Sequence, residues 1–133
     1  MKVYTASGNQ VNWPPSGYTV NLNETRPRSS FHLKARELIQ RLYPLHIIME
    51  EVPIPGEKLY CDFVIPTLNL VVEVHGQQHY EFNSFYYRSK WEWAIAKQND
   101  KRKQEWLQNN NIRYCELPYD ESEEQWEKRL QTL

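Results

Sequence analysis

The 133-residue sequence predicts an α/β protein, and three observations lead to that class. Apolar residues recur at helical spacing in three segments, whereas four shorter segments show the apolar runs or the alternation that strands show. Turn sequences rich in proline and glycine separate the segments. The length suits one domain with one core. The predicted order is helix, three strands, helix, strand and helix.

The N-terminal residues differ from the rest of the chain. Residues 1–28 contain Trp13-Pro14-Pro15 and Arg26-Pro27-Arg28, and they show neither a helical nor a strand period. We therefore expect an irregular N-terminal arm over residues 1–28, followed by a single domain over residues 29–133.

The elements of this domain follow from local signals. Ser29 and Ser30 are candidate N-caps of the first helix, which the dipeptide Tyr43-Pro44 is expected to end. The segment 76–87 is polar and aromatic and predicts a loop. The other elements are predicted as strands at 46–52, 59–65, 69–75 and 112–117, and as helices at about 89–108 and at 121–130.

Composition excludes several classes of protein. No apolar run approaches the ~20 residues that cross a bilayer, and the first ten residues lack the apolar stretch of a secretory signal. We therefore expect a cytoplasmic protein with no membrane partner. Cys61 and Cys115 stand apart in apolar segments, which predicts buried free thiols rather than a zinc site.

The net charge of −1 does not point to a nucleic-acid-binding protein, but the distribution of charge is uneven. Basic residues concentrate in segments 1–48 and 88–105, on either side of an acidic segment at 49–87. A metal site needs clustered carboxylates, and a phosphate backbone needs lysine and arginine nearby. Ordinary scatter of surface charge would also give such blocks.

The residues that carry chemistry lie on two neighbouring predicted strands. Asp62 interrupts an apolar strand, where both strand propensity and burial disfavour a carboxylate. Glu73 and His75 share one face of the next strand because side chains alternate, and His79 follows in the loop. Taken singly, each is more simply a turn, strand or loop residue, but together they indicate a site.

Two carboxylates on adjacent strands make a hard oxygen site for Mg²⁺, or for Mn²⁺ in its place. A metal there would polarise a phosphoryl oxygen and acidify a bound water. A neighbouring histidine is suited to general acid or base chemistry near neutral pH. We therefore expect Asp62 and Glu73 to be metal ligands and His75 and His79 to be catalytic.

Asp62 and Glu73-Val74-His75 resemble the D…ExK signature of the PD-(D/E)xK nucleases, with His75 in the lysine position. The run from Glu73 to His79 is similar to one branch, the very-short-patch-repair endonucleases and the EDxHD nuclease domains of phage-encoded homing endonucleases. The resemblance covers roughly residues 29–118. It implies a restriction-endonuclease-like three-layer core around a mixed four-stranded sheet.

The resemblance also implies a role for Asp100 on the long helix, as an acceptor that fixes the tautomer of a histidine. A solvated helix residue is the simpler interpretation. The branch's acidic residue on the first helix has no clear counterpart, and His32, Glu37 and Glu51 remain candidates. Glu37 also fits an ion pair with Arg41.

Basic and aromatic residues near this site predict contacts with nucleic acid. Four basic residues would together hold phosphates, although any one of them alone fits a solvated helix face. They are Arg88, Lys90, Lys97 and Lys101. The aromatic residues of the loop could stack on bases or wedge between them, or they could pack the loop: Tyr80, Phe82, Phe85, Tyr86 and Tyr87.

The sequence thus predicts a divalent-metal-dependent endonuclease that hydrolyses DNA phosphodiester bonds. Two alternatives stay open, a ribonuclease on the same fold and a non-catalytic nucleic-acid-binding module. Carboxylates in the site argue against the second alternative, because they repel phosphate unless a metal lies between. No base-reading module appears, so specificity is expected to be low, or to come from a homodimer mate or another partner. The branch resemblance suggests a phage-encoded protein in a bacterial host.

Overall fold

The structure, a computed structural model, describes residues 1–20 and 27–133, and of residue 78 it describes the backbone. The predicted arm therefore lies partly outside the described residues. The elements in chain order are β1 (Lys2–Tyr4), β2 (Gln10–Asn12), α1 (Ser30–Leu42), β3 (Met49–Pro53), β4 (Tyr60–Ile65), β5 (Leu70–His75), α2 (Lys90–Asn109), β6 (Arg113–Pro118) and α3 (Glu123–Gln131). Short 3₁₀ turns follow β4 and β5, the second at Gln77–His79.

The main sheet has four strands in the order β3-β4-β5-β6. The first two pairs are antiparallel, and β5 pairs with β6 in parallel across the crossover made by α2. The α/β class and the mixed four-stranded sheet are confirmed. Ser29 caps α1 as predicted, with its side chain accepting a hydrogen bond from the backbone N–H of His32.

Apolar side chains cover both faces of the sheet. On one face, α1 and α3 pack on alternate strand residues such as Phe63 and Val72, with Trp126 fully buried among them. On the other face, Val71 packs with Trp106 of α2 and with residues from β1 and β2. As predicted, Leu70, Val72 and Val74 pack on one face of β5. Glu73 and His75 alternate with them, so they face the α2 layer.

The N-terminal residues are not an irregular arm throughout, which corrects the prediction. β1 and β2 form an antiparallel ribbon that contributes Val3 to the core. Trp13, which follows β2, is buried, packs edge-on against Trp106 at 5.2 Å between ring centroids, and donates its indole N–H to the carbonyl of Pro53 at 2.9 Å. Strands of three residues are too short to show an alternation in sequence.

Other element bounds differ from the predictions by a few residues. β3 begins at Met49 rather than at residue 46, because a turn follows α1, closed by the N–H of His46 on the carbonyl of Tyr43. α3 begins at Glu123, where Ser122 and Gln125 form a reciprocal capping box. Both cysteines are buried and free, as predicted. None of the described helices is long and apolar enough to cross a membrane.

Candidate active site

The side chains of Asp62 and Glu73 bind the backbone of each other's strand just beyond the last paired residues of β4 and β5. The last paired residues are Phe63 and Val72. Beyond them, Oδ2 of Asp62 accepts the backbone N–H of Val74 at 2.9 Å, and Oε2 of Glu73 accepts the backbone N–H of Asp62 at 2.9 Å. Each carboxylate therefore satisfies a backbone donor of the neighbouring strand, which fixes the two acidic groups side by side.

Lys103 of α2 provides a positive charge beside this pair, and sequence reasoning missed it. Its Nζ lies 2.5 Å from Oε1 of Glu73, whose side chain is only 2% exposed. The Glu73-Val74-His75 run lacks the lysine of the ExK pattern, but an ammonium group reaches the carboxylate from the helix. The available signal was spacing, because a residue three positions after Asp100 shares its helical face.

The Asp62–Glu73 pair carries more negative charge than the single lysine beside it can balance. Burial raises the pKa of Glu73 to about 8, and the negative charge of Asp62 acts in the same direction. Lys103 opposes the rise. Burial would lower the pKa of Lys103 itself, but the adjacent Glu73 carboxylate outweighs burial and raises it. One ammonium group thus faces two carboxylates.

His75 and His79 stack in parallel beside the carboxylates, with ring centroids 4.2 Å apart and planes at 9°. The 3₁₀ turn after β5 folds His79 back onto His75. Nδ1 of His79 donates to Oδ2 of Asp100 at 2.9 Å. The structure therefore brings the acceptor predicted on the long helix into contact with one of the two predicted histidines.

His75 is held at both ring nitrogens. Its Nδ1 donates to Oε1 of Glu116 at 2.9 Å, and its Nε2 accepts from the Tyr114 hydroxyl at 3.2 Å. The Tyr80 hydroxyl also donates to Glu116. Burial, followed by the charge of His79, lowers the pKa of His75. His75 is thus a neutral ring with no free nitrogen, which suits orientation of His79 better than proton transfer.

His79 is the more accessible histidine, with a side chain 25% exposed and Nε2 without a hydrogen-bond partner among the described residues. Burial would raise the pKa of Asp100, but the hydrogen bond and charge of His79 outweigh it, and the pKa of Asp100 is lowered. Asp100 therefore remains a carboxylate that can hold the Nδ1–H tautomer of His79.

An open pocket of about 620 Å³ joins these groups. Asp62, Glu73, His75, His79 and Lys103 line it together with the start of α1. Asp100 lines a smaller adjoining pocket of about 260 Å³, which also includes Lys97, Lys101 and Glu116. The structure thus gathers all five predicted catalytic residues around one histidine stack and adds Lys103.

Of the three candidates for the missing first-helix group, the structure brings His32 to the large pocket. Glu37 is exposed, and Glu51 has a left-handed backbone with φ of 48° and an ion pair to Arg28 at 2.5 Å. The expected Glu37–Arg41 pair is corrected by the structure. Arg41 instead reaches Glu123 and Glu127 of α3, each at 3.4 Å, because α3 packs beside α1.

The four predicted phosphate-binding residues separate into two groups. Arg88 and Lys90 lie exposed around the start of α2 and line neither pocket. Lys97 donates to the backbone carbonyl of His79, so it supports the turn that carries this histidine. Lys101 is exposed and lies 4.0 Å from Glu105. Of the loop aromatics, Tyr86 lines the large pocket and Tyr80 the smaller one.

Within residues 1–20 and 27–133, no three His, Cys, Asp or Glu side chains converge as a protein cage for a metal would require. Mg²⁺ commonly takes one or two carboxylates and keeps several waters, so a site for this ion would not require such a cage. Oδ1 of Asp62 has no hydrogen-bond partner among the described residues, and Asp62 lines the pocket. The crowded carboxylates also favour a cation.

Comparison with known proteins finds similarity to a viral protein. Over 68 residues the chain is 41% identical to the uncharacterized protein 033L of invertebrate iridescent virus 3, a match over 50% of this chain. The chain spans only 34% of the length of that viral protein. No family model matches the chain. No solved structure matches it either.

Proposed function

We propose that this protein is a divalent-metal-dependent endonuclease that hydrolyses DNA phosphodiester bonds. The observation that supports this function best is the joint placement of three features on one pocket. These are the carboxylates of Asp62 and Glu73, the ammonium group of Lys103, and the ring of His79, which Asp100 holds from the adjoining pocket. Acid, base and cation chemistry within one open cavity is what phosphodiester hydrolysis requires.

Asp62 and Glu73 would hold the metal, which is Mg²⁺ in this proposal, with Mn²⁺ as a substitute. When bound, such an ion polarises a phosphoryl oxygen and lowers the pKa of a coordinated water. Lys103 keeps Glu73 oriented through the contact at 2.5 Å and adds positive charge where a phosphate would lie. The carboxylates without a cation would repel the same phosphate.

His79 is the general base of the proposed reaction. Its Nδ1 is committed to Asp100, so Nε2 is the nitrogen available to take a proton from the attacking water. Asp100 is a positioning residue, because it acts through His79. His75 also acts through His79, since it stacks on that ring while Glu116 and Tyr114 hold its own nitrogens.

The resemblance of Asp62 and the run Glu73–His79 to the PD-(D/E)xK nucleases supports the same reaction and a restriction-endonuclease-like core. Lys97 and Lys101 at the adjoining pocket offer positive charge for a phosphate backbone. Specificity in this proposal comes from a second copy of the chain or from a partner, since no base-reading module is evident in the sequence.

The proposal is tested by incubating the protein with supercoiled plasmid, single-stranded DNA and RNA, each with Mg²⁺, Mn²⁺ or excess EDTA. We expect nicking or linearisation of the plasmid with either metal and none in EDTA. Asp62→Asn should remove most of the activity, whereas the exposed control Asp120→Asn should not. Undiminished cleavage in EDTA, or cleavage of RNA alone, would overturn the proposal.

A further inference from the structure

We propose that His32 is a second proton-transfer residue of this pocket, which protonates the leaving oxygen while His79 takes the proton of the attacking water. This inference rests on the proposed function and names a residue that the same reaction would use. The observations behind it are a second histidine–carboxylate pair and its position in the molecule.

The fold holds His32 firmly at the wall of the large pocket. It lies in the first turn of α1, where its backbone N–H donates to the Ser29 side chain at 3.1 Å. Its ring stacks on Phe63, with centroids 4.6 Å apart and planes at 25°. Although the residue is only 8% exposed, it lines the pocket that contains Asp62 and Glu73.

Glu50 of β3 fixes the orientation of the His32 ring. Nε2 of His32 donates to Oε1 of Glu50 at 3.0 Å. Arg36 holds the same carboxylate at both oxygens, from Nε at 2.7 Å and from Nη2 at 2.9 Å. The buried Glu50 is thus an ionised acceptor in a charged network, which favours a histidine that carries its proton on Nε2.

The other ring nitrogen of His32 is left for the pocket. Nδ1 has no hydrogen-bond partner among the described residues. It is also not one of the side-chain atoms of these residues that are both fully buried and without a partner. It is therefore accessible to solvent, on a residue that lines the pocket. With Nε2 directed at the Glu50 carboxylate, Nδ1 is the ring nitrogen from which an imidazolium could donate a proton to a group in the pocket.

Two histidine–carboxylate pairs consequently serve one pocket from opposite layers of the molecule. His79 and Asp100 belong to the α2 side of the sheet, at 2.9 Å, and His32 and Glu50 meet on the α1 side, at 3.0 Å. Displacement at phosphorus benefits from a base near the entering oxygen and an acid near the leaving oxygen. A phosphodiester between the two layers would meet one histidine on each side.

Two proton transfers accompany the displacement at phosphorus. Water attacks phosphorus, and its proton passes to Nε2 of His79. The bond from phosphorus to the leaving oxygen breaks with its electron pair on that oxygen, which takes the proton from Nδ1 of His32. His79 ends protonated and His32 neutral, and exchange with solvent restores both rings.

The experiment compares two substrates that differ in their need for an acid. Plasmid DNA has an alkoxide leaving group, whereas bis(p-nitrophenyl) phosphate releases p-nitrophenolate, which leaves without a proton. At saturating Mg²⁺, His32→Ala should lower kcat on DNA by ~10²-fold and change the rate on the nitrophenyl ester by less than about threefold. His79→Ala should slow both reactions. His46→Ala, away from the pocket, is the matched control.

Several outcomes would overturn the inference while leaving the proposed function intact. One is an unchanged kcat for His32→Ala on DNA, which would make His32 structural. Another is an equal loss on both substrates, or a raised KM alone, which would make it a phosphate contact. If His32→Ala does not fold, His32→Gln tests the same point, because its amide can keep the contact with Glu50. A wild-type protein that cleaves no substrate would overturn both the proposed function and this inference.

A measurement without turnover checks the arrangement directly. Nitrogen-15 NMR of the imidazole rings at alkaline pH should show the neutral His32 ring protonated at Nε2, with Nδ1 bare. Glu50→Gln, if folded by circular dichroism, should lower the population of that tautomer. A wild-type ring protonated at Nδ1 would contradict the proposed proton path even if the protein is an active nuclease.

Discussion

Nζ of Lys103 lies 2.5 Å from Oε1 of Glu73, so α2 supplies the counter-charge for a carboxylate buried in the sheet. The contact joins two layers at the proposed metal site. It also gives Glu73 a cation that belongs to the protein itself.

Lys103→Met should abolish most cleavage, by ~10²-fold or more, on the scale of a lost electrostatic contact to the reacting phosphate. The remaining carboxylates would have no ammonium group beside them, and the pKa of Glu73 would rise further. The measurement is the plasmid cleavage rate beside Lys128→Met, an exposed control on α3. Equal rates for the two variants would show that Lys103 has no part in the reaction.

The buried Glu73 should make stability depend on pH in a defined window. Its pKa is raised from the ordinary 4.5 to about 8, so the folded state holds the proton more tightly than the unfolded state. The stabilisation is complete below 4.5 and is lost as pH rises through about 8. The Tm of the wild type without metal should therefore fall from pH 5 to pH 9.

Glu73→Gln is the matched variant for that experiment, because a neutral amide removes the titration. Its Tm should change less over the same pH range. Added Mg²⁺ should raise the Tm of the wild type near pH 8, since a ligand of the folded state stabilises it, and should have little effect on the variant. A wild-type Tm that is flat across this range would contradict the raised pKa.

His79 and Asp100 should behave as one unit in a double-mutant cycle. His79→Ala is expected to slow cleavage by ~10²-fold, and Asp100→Asn by less, because it loosens the ring without removing it. The double variant should be no slower than His79→Ala, since Asp100 acts through that ring. Rates at saturating Mg²⁺ measure this, and additive losses would separate the two residues.

Glu50 should stabilise the fold at neutral pH. Burial would raise its pKa, but the hydrogen bonds and charges of His32 and Arg36 outweigh burial and hold the pKa below 4.5. Its stabilisation is therefore present above 4.5 and lost as pH falls further. Glu50→Gln should cost about 3 kcal/mol in urea unfolding at pH 7. The difference from wild type should shrink below pH 4; a constant difference would contradict the ionised network.

Local patterns predicted much of the site because alternation along a strand fixes which side chains share a face. That rule placed Glu73 and His75 on one face of their strand, whereas Asp62 was identified because a carboxylate interrupts the apolar pattern of the preceding strand. The same rule could not identify Lys103. Lys101, Arg102 and Lys103 are consecutive in sequence, and only the placement of Asp100 at the site, three positions before Lys103 on the same helical face, indicates which of them points inward.

Two other features depend on contacts between distant segments. Glu50 and Glu51 are adjacent in a predicted strand. Nothing in the local sequence shows that His32 and Arg36, both on α1, bind Glu50. The N-terminal ribbon is stabilised by the packing of Trp13 on Trp106 rather than by its own short strands. Burial of this kind overrides local propensity.

Helix α2 places Asp100 and Lys103 at the site and, one turn later, Trp106 and Leu107 in the core. Inserting or deleting one residue between Lys103 and Trp106 would turn one set by roughly 100° relative to the other. This stretch is therefore expected to keep its length in relatives that keep the site, whereas the loop before α2 can vary. The interval from Asp100 to Trp106, together with Asp62 and the Glu73–His79 run, gives a search pattern more selective than the short motif alone.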